Sequence, residues 1–413
     1  MEVCITPSQL RGKLNIPSSK SCAHRAVICA ALADDGRKSV ISGISGSKDI
    51  DATIGAMQAL CMEWNDEGKG TVSIIGSRSI SGGRKIIDCN ESGSTLRFVI
   101  PIAAALGCEA EFIGRGRLPQ RPIDIYIREL GKNGIKFNYN NTMPFSISGQ
   151  LQSGTYEIEG IVSSQFITGL LLALPMLEGD SEIILTSRLE SRPYVDITID
   201  TMKRFGVNVT ENKNGYSIKG GQSYHSHSEK VEGDYSQAAF FYVANAINSA
   251  VELGNLNTDS VQGDKRILDI IREACSGGRI SSFRADCSDI PDLVPILAVL
   301  AAFGSSESVI YNAQRLRIKE SDRLETTAAM LNALGGDVTV TEDGLIIRPT
   351  NKLKGGTVNG CGDHRIVMAA SVAALGCTGN VVIKGAEAVE KSYPDFFKDY
   401  NMLGGKANVI NME

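Results

Sequence analysis

The sequence predicts an α/β protein of two similar domains, each built from three copies of one unit. Three observations carry that prediction. The chain has 413 residues, more than one hydrophobic core usually serves. A polar, serine-rich start running into an all-apolar helix occurs six times. Six amphipathic helices, each begun near an aspartate, interleave with the first series.

In chain order, SKSCAHRAVICAAL from Ser19 is the first apolar helix. SKDIDATIGAMQAL follows around Asp49, with Ile50, Ile54, Met57 and Leu60 on one stripe at helical spacing. SGSTLRFVIPIAAAL from Ser92 contains Pro101, which predicts a kink. RPIDIYIREL around Asp124, SSQFITGLLLAL from Ser163 and RPYVDITIDTMKRF around Asp196 complete the first half. The second half reads SQAAFFYVANAI from Ser236, GDKRILDIIREA around Asp264 and SDIPDLVPILAVLAA from Ser288. SDRLETTAAMLNAL around Asp322, DHRIVMAASVAAL from Asp363 and YPDFFKDYNML around Asp395 end the series. Most amphipathic helices stop near glycine and lead into strands, as in FGVNV and LGGDVTV. VNVTENKNGYSIKG and DVTVTEDGLIIRP read as hairpins with glycine in the turn. The period is near ~70 residues, too long for a solenoid repeat of roughly 20–50. Both series take their short step between the fourth and fifth members.

Hydrophobic content of 42% and charged content of 22% are those of an ordinary globular protein. A net charge of -5 and a pI near 5.6 argue against nucleic-acid or anionic-membrane binding, so any anion site must be local. The ten cysteines show no C-x-x-C pair or zinc spacing, and Cys22, Cys29 and Cys377 read as small core residues. His225 and His227 lie in a polar stretch and read as solvated rather than metal-bound. No signal-peptide pattern opens the chain and no apolar run approaches ~20 residues, so a cytoplasmic protein is expected.

The chemistry begins with cations at helix starts. A helix N-terminus already carries about half a positive charge, and a Lys or Arg there is disfavoured by roughly 0.3–1 kcal/mol. Lys20 and Arg25 nonetheless open the first apolar helix, and His364 and Arg365 open the sixth. Arg121, Arg192 and Lys391 precede amphipathic helices, and Lys319 and Arg323 flank another. For any one of these, a salt bridge to a neighbouring acid suffices. For the set, a shared anion is the simpler account, since helix N-termini, serine hydroxyls and Lys/Arg together bind phosphate or carboxylate. No Walker A or G-x-G-x-x-G sequence is present, so the site is not a standard nucleotide cradle. Asp292 and Glu320 stand among the cations, where carboxylates are natural proton-transfer groups.

Nine motifs then identify a family. They are SKSCAHR at 19–25, ESGSTLR at 91–97, QRPI at 120–123, SSQ at 163–165, SRPY at 191–194, IPD at 290–292, RIKESDR at 317–323, DHR at 363–365 and EKSYPD at 390–395. Over essentially its whole length the chain resembles the 5-enolpyruvylshikimate-3-phosphate synthases. The resemblance implies the enolpyruvyl transferase "inside-out" α/β fold, with two domains of three βαβαββ repeats and buried helices. One domain would be 1–17 plus 232–413, the other 18–231, with the active site in the cleft between them. The implied reaction moves the carboxyvinyl group of phosphoenolpyruvate to the 5-hydroxyl of shikimate 3-phosphate and releases phosphate, by addition and elimination through a tetrahedral intermediate. No metal or organic cofactor is implied. The implied partners are those two small molecules, with a monomer as the working form.

Roles carry over by likeness, position by position. Asp292 resembles the base for the 5-hydroxyl, and Glu320 and Lys20 the groups that exchange a proton with the methylene carbon. Lys20, Gly93, Arg121, Gln165, Arg323, His364, Arg365 and Lys391 resemble the phosphoenolpyruvate shell. Ser21, Arg25, Ser163, Ser164, Gln165, Ser191, Tyr194, Asp292 and Lys319 resemble the shikimate 3-phosphate shell. The second motif departs from the family's Asn-x-Gly-Thr, reading Glu91-Ser92-Gly93-Ser94, and Phe98 stands where many members have a small residue or proline. Glu91 should weaken an anion site unless it pairs with a cation such as Arg97. Both departures bear on the response to glyphosate, the family's phosphoenolpyruvate-like inhibitor. The rival readings are UDP-N-acetylglucosamine enolpyruvyl transferase, a non-catalytic sensor of a phosphorylated metabolite, and the RNA-end cyclases built on related repeats. The first usually carries Lys-Asn where this chain has Lys20-Ser21 and a loop cysteine that 114–122 lacks. The sensor has no use for Asp292 and Glu320, and the cyclases are disfavoured by the acidic pI.

Overall fold

The computed structural model describes residues 1–44, 46–77, 83–350 and 352–411. The chain divides into two compact units, Ser18–Glu232 and Met1–Pro17 with Gly233–Glu413.

In the Ser18–Glu232 unit the helices are α1 (Lys20–Leu32), α2 (Lys48–Leu60), α3 (Gly93–Ala105), α4 (Asp124–Lys132), α5 (Ser164–Ala173) and α6 (Arg192–Arg204). The other unit holds α7 (Tyr235–Ile247), α8 (Ile267–Ala274), α9 (Val294–Ala302), α10 (Arg323–Ala333), α11 (His364–Ala373) and α12 (Phe396–Met402). The odd-numbered helices are apolar all round and form the cores. In α9 every residue is buried, and in α1 only Lys20 and Ser21 are not. α3 runs unbroken through Pro101 to Ala105.

α3, α5 and α9 each join two parallel strands, and a hairpin completes each of those sheets. Lys85–Asp88 pairs parallel with Ala110–Ile113 across α3, and the hairpin Ile135–Asn138 with Phe145–Gly149 adds antiparallel. Thr155–Ile158, Ser181–Leu185, Gly215–Ile218 and Thr210–Asn212 repeat this order around α5. In the first repeat the leading strand is borrowed: Glu229–Lys230, from the unit's end, lies parallel to Ser39–Ser42. The other unit borrows in the opposite sense, Glu2–Thr6 sitting between Val381–Lys384 and Lys406–Asn411. The hairpins read from VNVTENKNGYSIKG and DVTVTEDGLIIRP are present, the latter as Asp337–Val340 with Leu345–Arg348. The copy around α7 is shortened to two strands, Arg11–Asn15 and Ala250–Gly254, among the described residues. That copy lies where both sequence series take their short step.

The serine-rich starts act as helix caps. Ser19, Ser92 and Ser163 accept the N–H of Cys22, Thr95 and Gln165 at 3.4, 3.2 and 3.3 Å. Asp363 does the same for Arg365 at 3.0 Å. Two expected starts are displaced. α7 is capped by Asp234, one turn's edge before Ser236. α9 begins at Val294, after a 3-10 turn Pro291–Leu293, not near Ser288. Pro291 restricts Ile290 to a non-helical backbone, so the chain cannot enter the helix earlier. Among the described residues, no helix is long and apolar enough to cross a membrane.

Candidate active site

The named residues fall into one group in each unit. In the Ser18–Glu232 unit, the starts of α1, α3 and α5 are tied together by hydrogen bonds. Arg25 is buried among neutral partners. Its Nε donates to Thr198 Oγ1 at 2.7 Å, and Nη1 donates to the Ser21 carbonyl at 2.7 Å. Nη2 donates to the Tyr194 carbonyl at 2.8 Å and to Thr168 Oγ1 at 3.4 Å. A guanidinium has five N–H donors, and the fifth of Arg25, on Nη1, has no protein partner among the described residues. The Phe98 ring lies 5.1 Å from the guanidinium carbon. Burial lowers the Arg25 pKa to about 10.

Arg97 is the counterpart on α3. It donates to Gln165 Oε1 at 2.7 Å and to the Pro122 carbonyl at 3.0 Å, over the face of Phe166. Burial, with nearby Arg121 adding to it, pulls its pKa down to about 9. Gln165 Nε2 in turn donates to Ser94 Oγ at 3.0 Å. Gly93 opens α3 beside these cations. A Cβ there would collide with Arg121 Nη1 and lie 3.5 Å from Arg97 Nη1. Glycine is therefore what lets Arg121 reach the helix start. Ser164 is buried in the first turn of α5, and Ser191 sits at the start of α6 with a left-handed φ of 55°.

Lys20 departs from the shared-anion account. Its Nζ is 2.7 Å from Asp49 Oδ2, in the first turn of α2. Behind it, His24 Nδ1 is 2.7 Å from Thr53 Oγ1, which is 2.7 Å from Thr95 Oγ1. Burial, with Lys20 and Arg25 adding, drives the His24 pKa well below its usual value, so the ring is neutral.

In the other unit the group is a charge network. Arg323 is almost fully buried and meets three carboxylates: Asp292 Oδ1, Glu320 Oε2 and Asp363 Oδ2, each at 2.8 Å. Arg365 Nη2 lies 2.7 Å from Asp292 Oδ2 and 3.0 Å from Ser236 Oγ. Both oxygens of Asp292 are thus held by guanidiniums. Burial alone would raise the Asp292 pKa, but Arg365, Arg323 and Lys319 together hold it well below the carboxylate range. The same carboxylates raise the Arg323 pKa against its own desolvation. Lys319 has no hydrogen-bonded partner among the described residues, and burial lowers its pKa to about 8 despite Asp292 and Glu320 nearby. Lys391 Nζ donates to the Gly362 carbonyl at 2.9 Å, and buried His364 opens α11 beside it.

One expectation needs correction. Lys20, Arg323 and Arg365 are neutralised by their own acids, and Arg192 pairs on the surface with Glu211 at 2.8 Å. Arg25 and Arg97 have no carboxylate partner among the described residues, and Lys319 has no hydrogen-bonded partner among them. Glu91 does not pair with Arg97. Its carboxylate lies against Gly116, whose added Cβ would be 2.7 Å away. Sequence reasoning missed the roles of Asp49, Asp363, Ser236 and Arg97. Asp49 and Asp363 were visible as helix-start acids, but their partners lie on other elements.

A family model described as EPSP synthase (3-phosphoshikimate 1-carboxyvinyltransferase) matches residues 5–400. Curated relatives named 3-phosphoshikimate 1-carboxyvinyltransferase include that of Clostridium novyi, 45% identical over 97% of this chain and 97% of the relative. That of Clostridioides difficile is 43% identical over 99% of this chain and 98% of the relative. Among solved structures, an EPSP synthase from Acinetobacter baumannii superposes with a TM-score of 0.84 at 25% identity, covering 99% of this chain and 100% of that one.

Proposed function

The chain belongs to the EPSP synthase (3-phosphoshikimate 1-carboxyvinyltransferase) family, and from that premise we propose how its residues perform the transfer. The enzyme moves the enolpyruvyl group of phosphoenolpyruvate to the 5-hydroxyl of shikimate 3-phosphate and releases phosphate. The observation that carries the assignment of residues is Arg25. It is a buried cation with neutral partners and one N–H left to give, at the start of a helix. An anionic ligand supplies the missing countercharge.

Shikimate 3-phosphate is bound by Ser21, Arg25, Ser163, Ser164, Gln165, Ser191, Tyr194, Asp292 and Lys319. Phosphoenolpyruvate is bound by Lys20, Arg121, Gln165 and the Gly93 backbone, with Arg323, His364, Arg365 and Lys391. Asp292 takes the 5-hydroxyl proton as the oxygen attacks C2 of phosphoenolpyruvate. Glu320 and Lys20 deliver a proton to the methylene carbon, then remove one as phosphate leaves. Carboxylates and an ammonium group suffice for both transfers, so the scheme uses no metal or organic cofactor. The reading takes a cytoplasmic monomer as the working form, which size-exclusion chromatography tests.

Phosphate release from phosphoenolpyruvate is the direct assay. Release is expected with shikimate 3-phosphate and not with UDP-N-acetylglucosamine. Release with the sugar nucleotide alone would replace the reading with that of the sister transferase, which the family match and relatives do not favour. No release with either acceptor, with ligands still bound by Asp292→Asn and Glu320→Gln, would leave a sensor.

A further inference from the structure

Asp292 presents a difficulty for its assigned role. A carboxylate held by two guanidiniums is a poor proton acceptor, because protonation must sacrifice both ion pairs. We propose that the carboxylate of phosphoenolpyruvate takes the place of Asp292 on Arg323 and Arg365, and that this exchange frees Asp292 to act as the base. The proposal rests on the reading above that those arginines bind phosphoenolpyruvate.

The geometry allows a like-for-like exchange. Asp292 Oδ1 lies 2.8 Å from Arg323 Nη1, and Oδ2 lies 2.7 Å from Arg365 Nη2. Neither arginine depends on Asp292 to stay in place. Arg323 Nε remains on Asp363 at 2.8 Å and Nη2 on Glu320 at 2.8 Å. Arg365 keeps Ser236 Oγ at 3.0 Å and its backbone N–H on Asp363. One carboxylate leaves the pair and one arrives, so the charge around the two guanidiniums is unchanged. The backbone of Asp292 also stays tethered, its carbonyl accepting Arg365 Nη1 at 3.4 Å. Only the side chain need turn. The groups facing it are Arg323 from α10, Arg365 from α11, and Lys319 and Glu320 from the turn before α10.

The order of events follows. Until the donor arrives, Asp292 is ionised but weakly basic, and the 5-hydroxyl stays protonated. Once the donor carboxylate occupies the arginines, the freed Asp292 accepts that proton as the O5–C2 bond forms. In the same step the electron pair of the enol double bond takes a proton at the methylene carbon from the Lys20 ammonium or from Glu320 in its protonated form.

If Asp292 competes with phosphoenolpyruvate for the arginines, removing its charge must strengthen donor binding. Calorimetric titration with phosphoenolpyruvate alone should show Asp292→Asn binding about tenfold tighter or more than the parent protein. Unchanged or weaker binding by a variant with native circular dichroism would overturn the exchange. A crystal of the parent protein soaked in phosphoenolpyruvate gives a second measure that needs no variant. At least one Asp292–guanidinium contact should open beyond hydrogen-bonding distance, and retention of both would overturn the proposal. Arg323→Gln separates the two ideas. If it leaves phosphoenolpyruvate affinity intact, the donor-site assignment itself fails.

Discussion

Replacing Arg25 with methionine should leave the fold nearly as stable as before while crippling acceptor binding. The magnitude follows from the surroundings. Burial lowers the guanidinium pKa from 12.5 to about 10, a penalty on the charged form of roughly 3 kcal/mol. Methionine removes that penalty and fills similar space. Against it stand the lost charge-assisted hydrogen bonds, each worth ~1.5–3 kcal/mol. Most of their acceptors find one another: Thr168 and Thr198 are 3.0 Å apart, and Thr198 already donates to the Tyr194 carbonyl at 2.9 Å. The Ser21 carbonyl keeps the backbone N–H four residues further along α1. Because no acceptor is orphaned, only part of the bonds' value is lost, and the ~3 kcal/mol relieved offsets much of it, so the urea unfolding free energy should fall by less than ~3 kcal/mol. Breaking a true buried ion pair costs ~3–5 kcal/mol. Losing one charge-assisted contact to a phosphorylated ligand costs ~2–4 kcal/mol, so KM for shikimate 3-phosphate should rise roughly 30- to 1000-fold. A destabilisation beyond ~4 kcal/mol, or an unchanged KM, would show that Arg25 serves the core and not the ligand.

Phe98→Leu removes the ring beneath that guanidinium, a contact worth ~0.5–2 kcal/mol, and should raise KM for shikimate 3-phosphate several-fold with kcat little changed. Equal losses in both constants would point to a general packing defect. Gly93→Ala must displace the end of Arg121, a movable group, so thermal stability should hold while KM for phosphoenolpyruvate rises. An unaltered donor KM would mean that Arg121 does not touch the donor. Lys319, with its pKa near 8, is charged below that pH and neutral above it. The free-enzyme profile of kcat/KM for shikimate 3-phosphate should fall above pH about 8, and Lys319→Arg should flatten that limb. The same depression means the unfolded chain holds more protons between pH about 8 and the ordinary lysine range, so stability rises with pH across that window. A profile unchanged by Lys319→Arg would assign the limb to another group.

Much of the fold was legible because its signals are local. A helix apolar on every side must be buried, and the six such stretches are the core helices of both units. Ser19, Ser92, Ser163 and Asp363 cap helices through hydrogen bonds spanning two or three residues, so their type and spacing sufficed. The start of α9 was misplaced because Ser288 looks like a cap, whereas Pro291 and the residue before it govern the backbone there. The borrowed strands Glu2–Thr6 and Glu229–Lys230 could not be read, since strand pairing at such separations leaves no local trace.

The cations and acids of each group could be picked out from the sequence, but not how they pair. The cations at helix starts were identified, yet whether each meets an acid depends on which elements pack together. Lys20 meets Asp49 from the next helix, and Arg323 meets Asp292 and Asp363 from two others. Arg25 has no such neighbour among the described residues, and no rule of spacing separates it from Lys20.

A cation left buried beside neutral groups should value its ligand's charge above the rest of the ligand's shape. Calorimetric titration of the parent protein with shikimate 3-phosphate and with unphosphorylated shikimate, at matched ionic strength, measures that preference. Binding at least about 100-fold tighter for the phosphate ester, weakening as salt is added, is the predicted result. Equal affinities for the two compounds would contradict it.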